Sequence, residues 1–401
     1  MDSLCIRCKG KGLCGKPCKI LGHFVNNAPK PTTHFSGPSP PEVFVGRVGY
    51  PNVNMGILAP TDYDSKHEKF NNAEQWAKSN LSIANILRLR GQLIYGRGIA
   101  NIKTNSQLKD VTQELALTHK ATSTEFFLRK IPIVQLNSSA VFKPMTNPAP
   151  IQKVLLQENT KIHKKIDYLT NDFDAKSVTA INELYKSNIG VDHLQKILSV
   201  GMLGKKINRK MIPTRWSITA IDDTISKGLL ENIRYYKEVD EIMLFSGNYL
   251  GNYIAILLLP GRLAFDAIEA WDGESVFGQE HHTVFAEDYE GFIGRKKYAS
   301  NITGGYYAMR LPVTEYLTKA KRQASVFVFR RITNEYYAPL GVGIVRETTR
   351  RAMNSKPIIF NDMNIALNKM GEYVKLESDI LKDKSWLLQN YGKQKVLKEF
   401  F

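Results

Sequence analysis

The sequence predicts an α+β fold, with α/β the nearest alternative. A mixed, mostly antiparallel sheet is surrounded by helices, with a small N-terminal module and an exposed C-terminal peptide. Three observations carry this. Strand-like and helix-like runs occur in mixed order, with no internal repeat and no low-complexity tract. Neighbouring strand runs lie close enough to form hairpins, which pair antiparallel. The 401 residues are 43% hydrophobic and 23% charged, which suits a globular chain of one large or two ordinary domains.

The elements follow from local pattern. Residues 26–41 hold five prolines among small polar residues and read as a linker. Glu42–Leu58 alternates apolar residues with Gly and polar ones, which predicts a twisted hairpin turning at Tyr50-Pro51-Asn52. Glu74–Arg90 has helical spacing through Trp76, Leu81, Ala84 and Leu87, and stops before Gly91. Ser106–His119 reads as a helix, and Glu125–Leu136 as a strand interrupted by Pro132. Lysine-rich helices follow over about 158–169 and 175–199. Gly204–Arg215 is a basic loop with five Lys/Arg and no acid, and Trp216–Gly228 begins a helix. Within Glu241–Leu259, EIMLF and NYIAILLLP read as two strands joined by a Gly-Asn turn, with Arg262–Trp271 a helix packed on them. Gly304–Gln323 reads as an amphipathic helix, Ser325–Phe329 as a strand and Leu340–Val345 as a buried strand. Helices over about 361–374 and 376–390 finish the fold. The expected organisation is 1–24 cysteine module, 25–41 linker, 42–390 main domain with a subdivision near 143–150, and 391–401 tail.

All four cysteines, Cys5, Cys8, Cys14 and Cys18, fall in the first 18 residues as C-x2-C-x5-C-x3-C. A structural zinc needs four soft ligands at tetrahedral corners, and a C-x2-C pair supplies two from one turn. Gly10, Gly12, Gly15 and Pro17 permit the tight turns between them. Zinc is the preferred reading and an iron–sulfur cluster the rival, since four clustered thiolates suit both. No secretory signal follows Met1, and the longest apolar stretch is far shorter than a membrane span. A cytoplasmic, nucleoid-associated protein without membrane contact is expected.

The formal charge is +17, which points to a polyanionic partner. Arg295–Arg351 holds twelve Lys/Arg against three acids, interleaved with Tyr298, Tyr306, Tyr307, Tyr316, Phe327, Phe329, Tyr336 and Tyr337. Nucleic-acid surfaces combine cations for phosphates with planar rings for bases. Arg330, Arg331, Arg346, Arg350 and Arg351 are therefore the candidate DNA contacts, the rings being core on the plainer reading. Catalytic residues are not defined, and whether the chain is an enzyme stays open. No H-E-x-x-H, Walker loop or G-x-S-x-G occurs. Arg215, Asp222 and Asp223 are weak candidates for a Mg²⁺- or Mn²⁺-dependent site. Asp266 with Glu269, and Glu287 with Asp288 and Glu290 after His281-His282, are further acidic groups. Gly304-Gly305, before a helix, is a weak phosphate-site signal.

The chain ends in Q-x-x-L-x-x-F-F. One helical turn brings Leu397, Phe400 and Phe401 to one face, with Gln394 a turn earlier. The pattern resembles the PCNA-interacting peptide, by which proteins dock on the DNA sliding clamp. A terminal helix folded onto its own core is the plainer reading.

The whole chain resembles the archaeal Nre family of DNA repair proteins. The resemblance rests on the cysteine spacing, SPPEVFVGRVGYPNVNMG (39–56), PTRWSITAIDDTIS (213–226), GNYIAILLLPG (251–261), GGYYAMRLPVTEYL (304–317), RQASVFVFR (322–330), PLGVGIVRE (339–347) and the terminal motif. It implies a DNA-damage role, a four-cysteine zinc finger and clamp binding, and supplies no settled reaction. Arg215, Asp222, Asp223, Gly304, Gly305 and Arg346 are its motif candidates. The expected function is a DNA-binding repair factor docked on PCNA. The alternatives are a metal-dependent nuclease recruited by the clamp and a non-catalytic protein or RNA adaptor.

Overall fold

The computed structural model describes residues 15, 18–39, 42–61, 67–273, 275 and 282–393. The fold is α+β, as expected, and forms two compact units. The first comprises the chain up to Gly228 with Tyr337–Ile344, and the second Leu229–Tyr336 with the chain from Val345 onward.

The first unit holds a six-stranded sheet ordered His34–Ser39, Thr122–Leu128, Pro148–Leu156, Leu93–Asn101, Asn52–Pro60 and Val43–Val45. All neighbours are antiparallel except Leu93–Asn101 with Pro148–Leu156. The expected hairpin is present, with Val43 opposite Ile57 and Val45 opposite Met55. Gly56 sits opposite Arg97, where a Cβ would run into the Gly96 carbonyl oxygen. Only glycine allows the two strands to approach there. Phe35, Ile57, Ile94, Phe126 and Val154 meet Leu115 of the helix Gln107–Leu117 in the core. That helix starts at Ser106, whose hydroxyl accepts from Lys109 N–H.

The region read as a linker contributes the edge strand His34–Ser39, paired along its length with Thr122–Leu128. Pro38 is tolerated there because an edge strand need not donate on its open side. Residues 143–150 lie inside the first unit and supply strand residues rather than a boundary. The run Glu74–Arg90 divides into helices Ala73–Lys78 and Ile83–Gly91, the second capped by Ser82.

The second unit has its own six-stranded sheet, ordered Val284–Glu290, Ala264–Trp271, Ser325–Ile332, Asn252–Leu259, Ile242–Tyr249 and Ile358–Phe360. Again one pair is parallel, Ala264–Trp271 with Ser325–Ile332. Leu244, Leu257, Ile268, Phe327, Leu367 and Met370 share its core. Two expectations fail here. Ala264–Trp271 is a strand, not a helix, so Asp266 and Glu269 fall on opposite faces. Both faces are covered, and Ala264–Ala270 is buried throughout. Such a strand shows no alternation to read. Conversely, the apolar run before Arg346 enters a helix, Val342–Met353, rather than a strand. A short apolar run does not separate a buried strand from a buried helix.

Candidate functional site

The arginines expected to touch DNA are mostly held by the second unit's own acids. Arg330 is buried on its strand. Its guanidinium pairs with Glu269, and its Nε donates to Asn252 Oδ1 at 3.0 Å. Burial pushes the Glu269 carboxyl above its ordinary value, while Arg330 pulls it back. Arg331 pairs with Asp272 at 3.0 Å and donates to the Val374 and Lys375 carbonyls. Arg350 bridges Glu315 at 2.6 Å and Glu347 at 2.7 Å. Arg346 is buried, and Arg351 donates to Asn248 O with its guanidinium over the Tyr249 ring. The same holds for Arg295 with Asp288 and Arg310 with Glu290. Most of these acids lie before residue 295, outside the cation-rich stretch Arg295–Arg351. Tyr306, Tyr307, Phe327, Phe329 and Tyr336 are core. Most of these arginines are therefore engaged within their own unit. Gly305 abuts Glu269, so a carboxylate occupies the place at that helix start suggested for a phosphate.

A group of arginines without acidic partners among the described residues lies in the first unit. In the first unit a cavity of about 480 Å³ is lined by Arg47, Arg97 and Arg215 and, among the described residues, by no acidic one. None of the three makes an ion pair or hydrogen bond among the described residues. Arg97 has only its own neighbour's ring, with its guanidinium 6.0 Å from the Tyr95 centroid. The positions follow from the fold. Arg47 follows the short strand Val43–Val45, and Arg97 lies on Leu93–Asn101 opposite Gly56. Arg215 is in the first turn of the helix Thr214–Ile233. That helix start is fixed to the sheet because Thr214 Oγ1 accepts from Val45 N–H at 2.9 Å and lies 3.0 Å from Ser199 Oγ. Its dipole adds positive potential at the cavity.

One wall of the cavity is aromatic. Phe44 meets Tyr95 edge-on at 5.9 Å and Phe142 at 5.0 Å. The Tyr95 hydroxyl lies 3.4 Å from Phe44 O. Burial raises its pKa, against the pull of Arg97, so the ring stays neutral. Beside Arg215, Trp216 is 49% exposed and stacks obliquely on Tyr50, itself 40% exposed, at 5.9 Å. Two large rings left in solvent beside unpaired cations are unusual for a surface with no partner. In the basic loop before this helix, Lys205 and Lys210 are exposed. The loop's Arg209 instead caps the carbonyls of Gly204, Thr170 and Asp172.

Arg215 was legible as a candidate, but Arg47 and Arg97 were not. Each stands alone between glycines or apolar residues, so no charge cluster marks it. Their one signal is that Arg47 falls in the quoted SPPEVFVGRVGYPNVNMG segment. The carboxylates do not converge. Asp222 is fully buried, and Asp223 pairs with Lys227 one turn on at 2.7 Å. Asp288 accepts from the Asn301 and Ile302 amides, and Asp266 and Glu287 hold the Ser385–Leu387 segment. Among the described residues, no three His, Cys, Asp or Glu side chains are placed to hold a metal ion.

Cys18 Sγ caps the helix Lys19–Val25, accepting from Leu21 N–H at 3.3 Å. Cys5, Cys8 and Cys14 lie outside the described residues, as do His281 and the tail residues Gln394, Leu397, Phe400 and Phe401. No helix among the described residues is long and apolar enough to cross a membrane.

Comparison with known proteins gives matches over most of the chain. Residues 13–278 match the family described as Archaeal Nre, N-terminal, and residues 290–400 match Archaeal Nre, C-terminal. DNA repair protein NreA of Archaeoglobus fulgidus is 35% identical over 92% of this chain and 93% of its own length. DNA repair protein NreB of the same organism is 32% identical over 99% of both. DNA repair protein NreA of Haloferax volcanii is 31% identical over 86% of this chain and 84% of its own length. No solved structure matches. The chain belongs to the archaeal Nre family, whose curated relatives are DNA repair proteins.

Proposed function

We propose that the protein is a DNA repair factor that binds DNA through the cationic surface of its first unit and docks on the sliding clamp through its C-terminal peptide. The observation that carries the DNA reading is the cavity whose three arginines have, among the described residues, no acid or hydrogen-bond partner beside them. Like charges gathered without counter-ions repel one another, by about 0.4 kcal/mol per pair at ~10 Å in a water-like dielectric. A phosphate backbone relieves that repulsion and gains from counterion release. The relatives' designation as DNA repair proteins supports DNA as the polyanion. The test is the salt dependence of duplex binding by the full chain. A steep log–log slope is expected, and a flat one would remove DNA as the ligand of this surface.

Clamp docking rests on the tail sequence. Leu397, Phe400 and Phe401 form the apolar plug and Gln394 the polar contact, as in other helix-in-groove peptides. Burying each phenylalanine contributes about 1.5–3 kcal/mol. The Phe400→Ala/Phe401→Ala variant should lose capture by PCNA while melting like the parent. Undiminished capture would refute the docking site. Tethering acts through effective concentration, so a weak peptide and a weak DNA site together give tight, local binding.

Cys5, Cys8, Cys14 and Cys18 hold one structural zinc in this reading. Elemental analysis should find about one zinc per chain, lost in the Cys5→Ser/Cys8→Ser variant. Iron with acid-labile sulfide would replace zinc by a cluster.

A further inference from the structure

The cavity is too small and too varied in its lining to be only a stretch of phosphate track. We infer that it receives a single unpaired nucleotide of DNA, so that the protein prefers strands with an extrahelical base over intact duplex. This rests on the DNA-binding reading above and narrows its substrate.

Three kinds of group face the same space, and a nucleotide has a part for each. Arg47, Arg97 and Arg215 offer guanidinium forks to a phosphate. Phe44 and Tyr95 supply neutral aromatic surface for a base, which stacks on or meets rings edge-on. Gln135 and Asn137 line the cavity, and their side-chain amides make no hydrogen bond among the described residues. Each amide presents donors and an acceptor, the pairing a base edge requires.

Size and chemistry exclude the simpler occupants. Inorganic phosphate would leave the aromatic wall and both amides unused. The cavity, at about 480 Å³, lies in the lower half of the ~300–1,000 Å³ range of small-molecule sites and cannot admit a base pair within its stack. A base reaches such a pocket only from a single strand, a bulge or a flipped position. The exposed Tyr50–Trp216 pair lies beside Arg215, where a base next to the captured one could stack.

The test uses the full chain and two labelled duplexes of the same sequence, one fully paired and one carrying a single bulged 2-aminopurine. Binding of the bulged duplex should be about tenfold tighter or more, with a change in 2-aminopurine emission. Asn137→Trp, which fills the cavity from an exposed position, should abolish the preference and leave paired-duplex affinity unchanged. Gln135→Trp, also at an exposed cavity position, serves the same purpose should the Asn137 variant melt abnormally. Equal affinity for the two duplexes overturns the inference and leaves the DNA-binding reading intact. So does a preference that survives both substitutions. Binding of a free deoxynucleoside monophosphate without any bulge preference also overturns it, by assigning the cavity to a soluble nucleotide. Failure to bind either duplex removes the DNA-binding reading and the inference with it.

Discussion

The second unit pairs Arg295, Arg310, Arg330, Arg331 and Arg350 with carboxylates, whereas the first leaves Arg47, Arg97 and Arg215 facing a cavity with no acid among the described residues. A count along the sequence points the other way, because Arg295–Arg351 carries the larger local excess. Glu269, Asp288 and Glu290, which neutralise part of it, come from the two strands preceding that stretch, and Asp272 from the residue after the first of them. A linear window sees the cations and misses their partners. What marks a binding surface is uncompensated charge in three dimensions, and sparse arginines between glycines can supply more of it than a dense run.

The sharpest way to break this contrast is at Arg330. Arg330→Ala leaves Glu269 buried beside Asn252 with its countercharge gone. Removing one partner of a buried pair costs about 3–5 kcal/mol. Chemical denaturation should show a loss of that order. A variant that stays stable but binds DNA more weakly would place Arg330 among the contacts and undo the division drawn here.

Much of the fold was legible, for identifiable reasons. Helices bounded by side-chain caps, such as Gln107–Leu117 after Ser106, and hairpins with alternating faces were visible because the signal is local. The hairpin Ile242–Tyr249 to Asn252–Leu259 was visible too, although its turn is Leu250-Gly251, both with positive φ. The strand Ala264–Trp271 was not, because burial on both faces erases the period of two. The division at Gly228 was invisible since it falls inside the helix Thr214–Ile233, with no Pro- or Gly-rich linker. Of the candidate site, Arg215 could be found from its basic loop. Arg47 and Arg97 needed the sheet register that brings their strands together.

Buried acids of the second unit should also leave a mark on pH dependence. Asp266 accepts from Ser385 Oγ and from Leu387 N–H, while its other carboxylate oxygen has no donor among the described residues. Burial first, and then the nearby negative charge of Glu287, push it up to about 7. The folded state thus holds this proton more tightly than the unfolded chain. The resulting stabilisation is complete below about pH 4 and is lost as pH rises toward 7. The effect is no more than about 4 kcal/mol. Asp266→Asn keeps an oxygen for Ser385 and Leu387 and should flatten the stability profile between pH 4 and 7. An unchanged profile would mean that Asp266 is ionised throughout.

The two arginine sets should separate directly in salt titrations of DNA binding. Each lost phosphate contact lowers the log–log slope by about 0.9 on duplex and about 0.7 on single strands. Arg47→Ala/Arg97→Ala/Arg215→Ala should therefore flatten the slope by two to three units, roughly 2 kcal/mol of affinity at moderate salt. Arg350→Ala/Arg351→Ala should leave it within error, because Arg350 already answers Glu315 and Glu347. The reverse pattern would restore the second unit as the DNA surface.

The smallest expected effect falls on the carboxylate that sequence had offered for catalysis. Asp223 sits one turn before Lys227 on the helix Thr214–Ile233 and pairs with it at 2.7 Å, the lysine side chain 53% exposed. Such i,i+4 pairs contribute about 0.3–0.5 kcal/mol and are screened by salt. Asp223→Ala should melt almost with the parent. Removing a negative charge eight residues from Arg215, in the same unit, should leave DNA affinity unchanged or slightly higher. A structural surface acid predicts nothing more. Incubating parent and variant with single-stranded, nicked and flapped DNA plus Mg²⁺ or Mn²⁺ tests the stronger role. A metal-dependent product made by the parent and lost in a normally melting Asp223→Ala would make this residue catalytic, and the ion pair with Lys227 would then be a resting arrangement that substrate displaces.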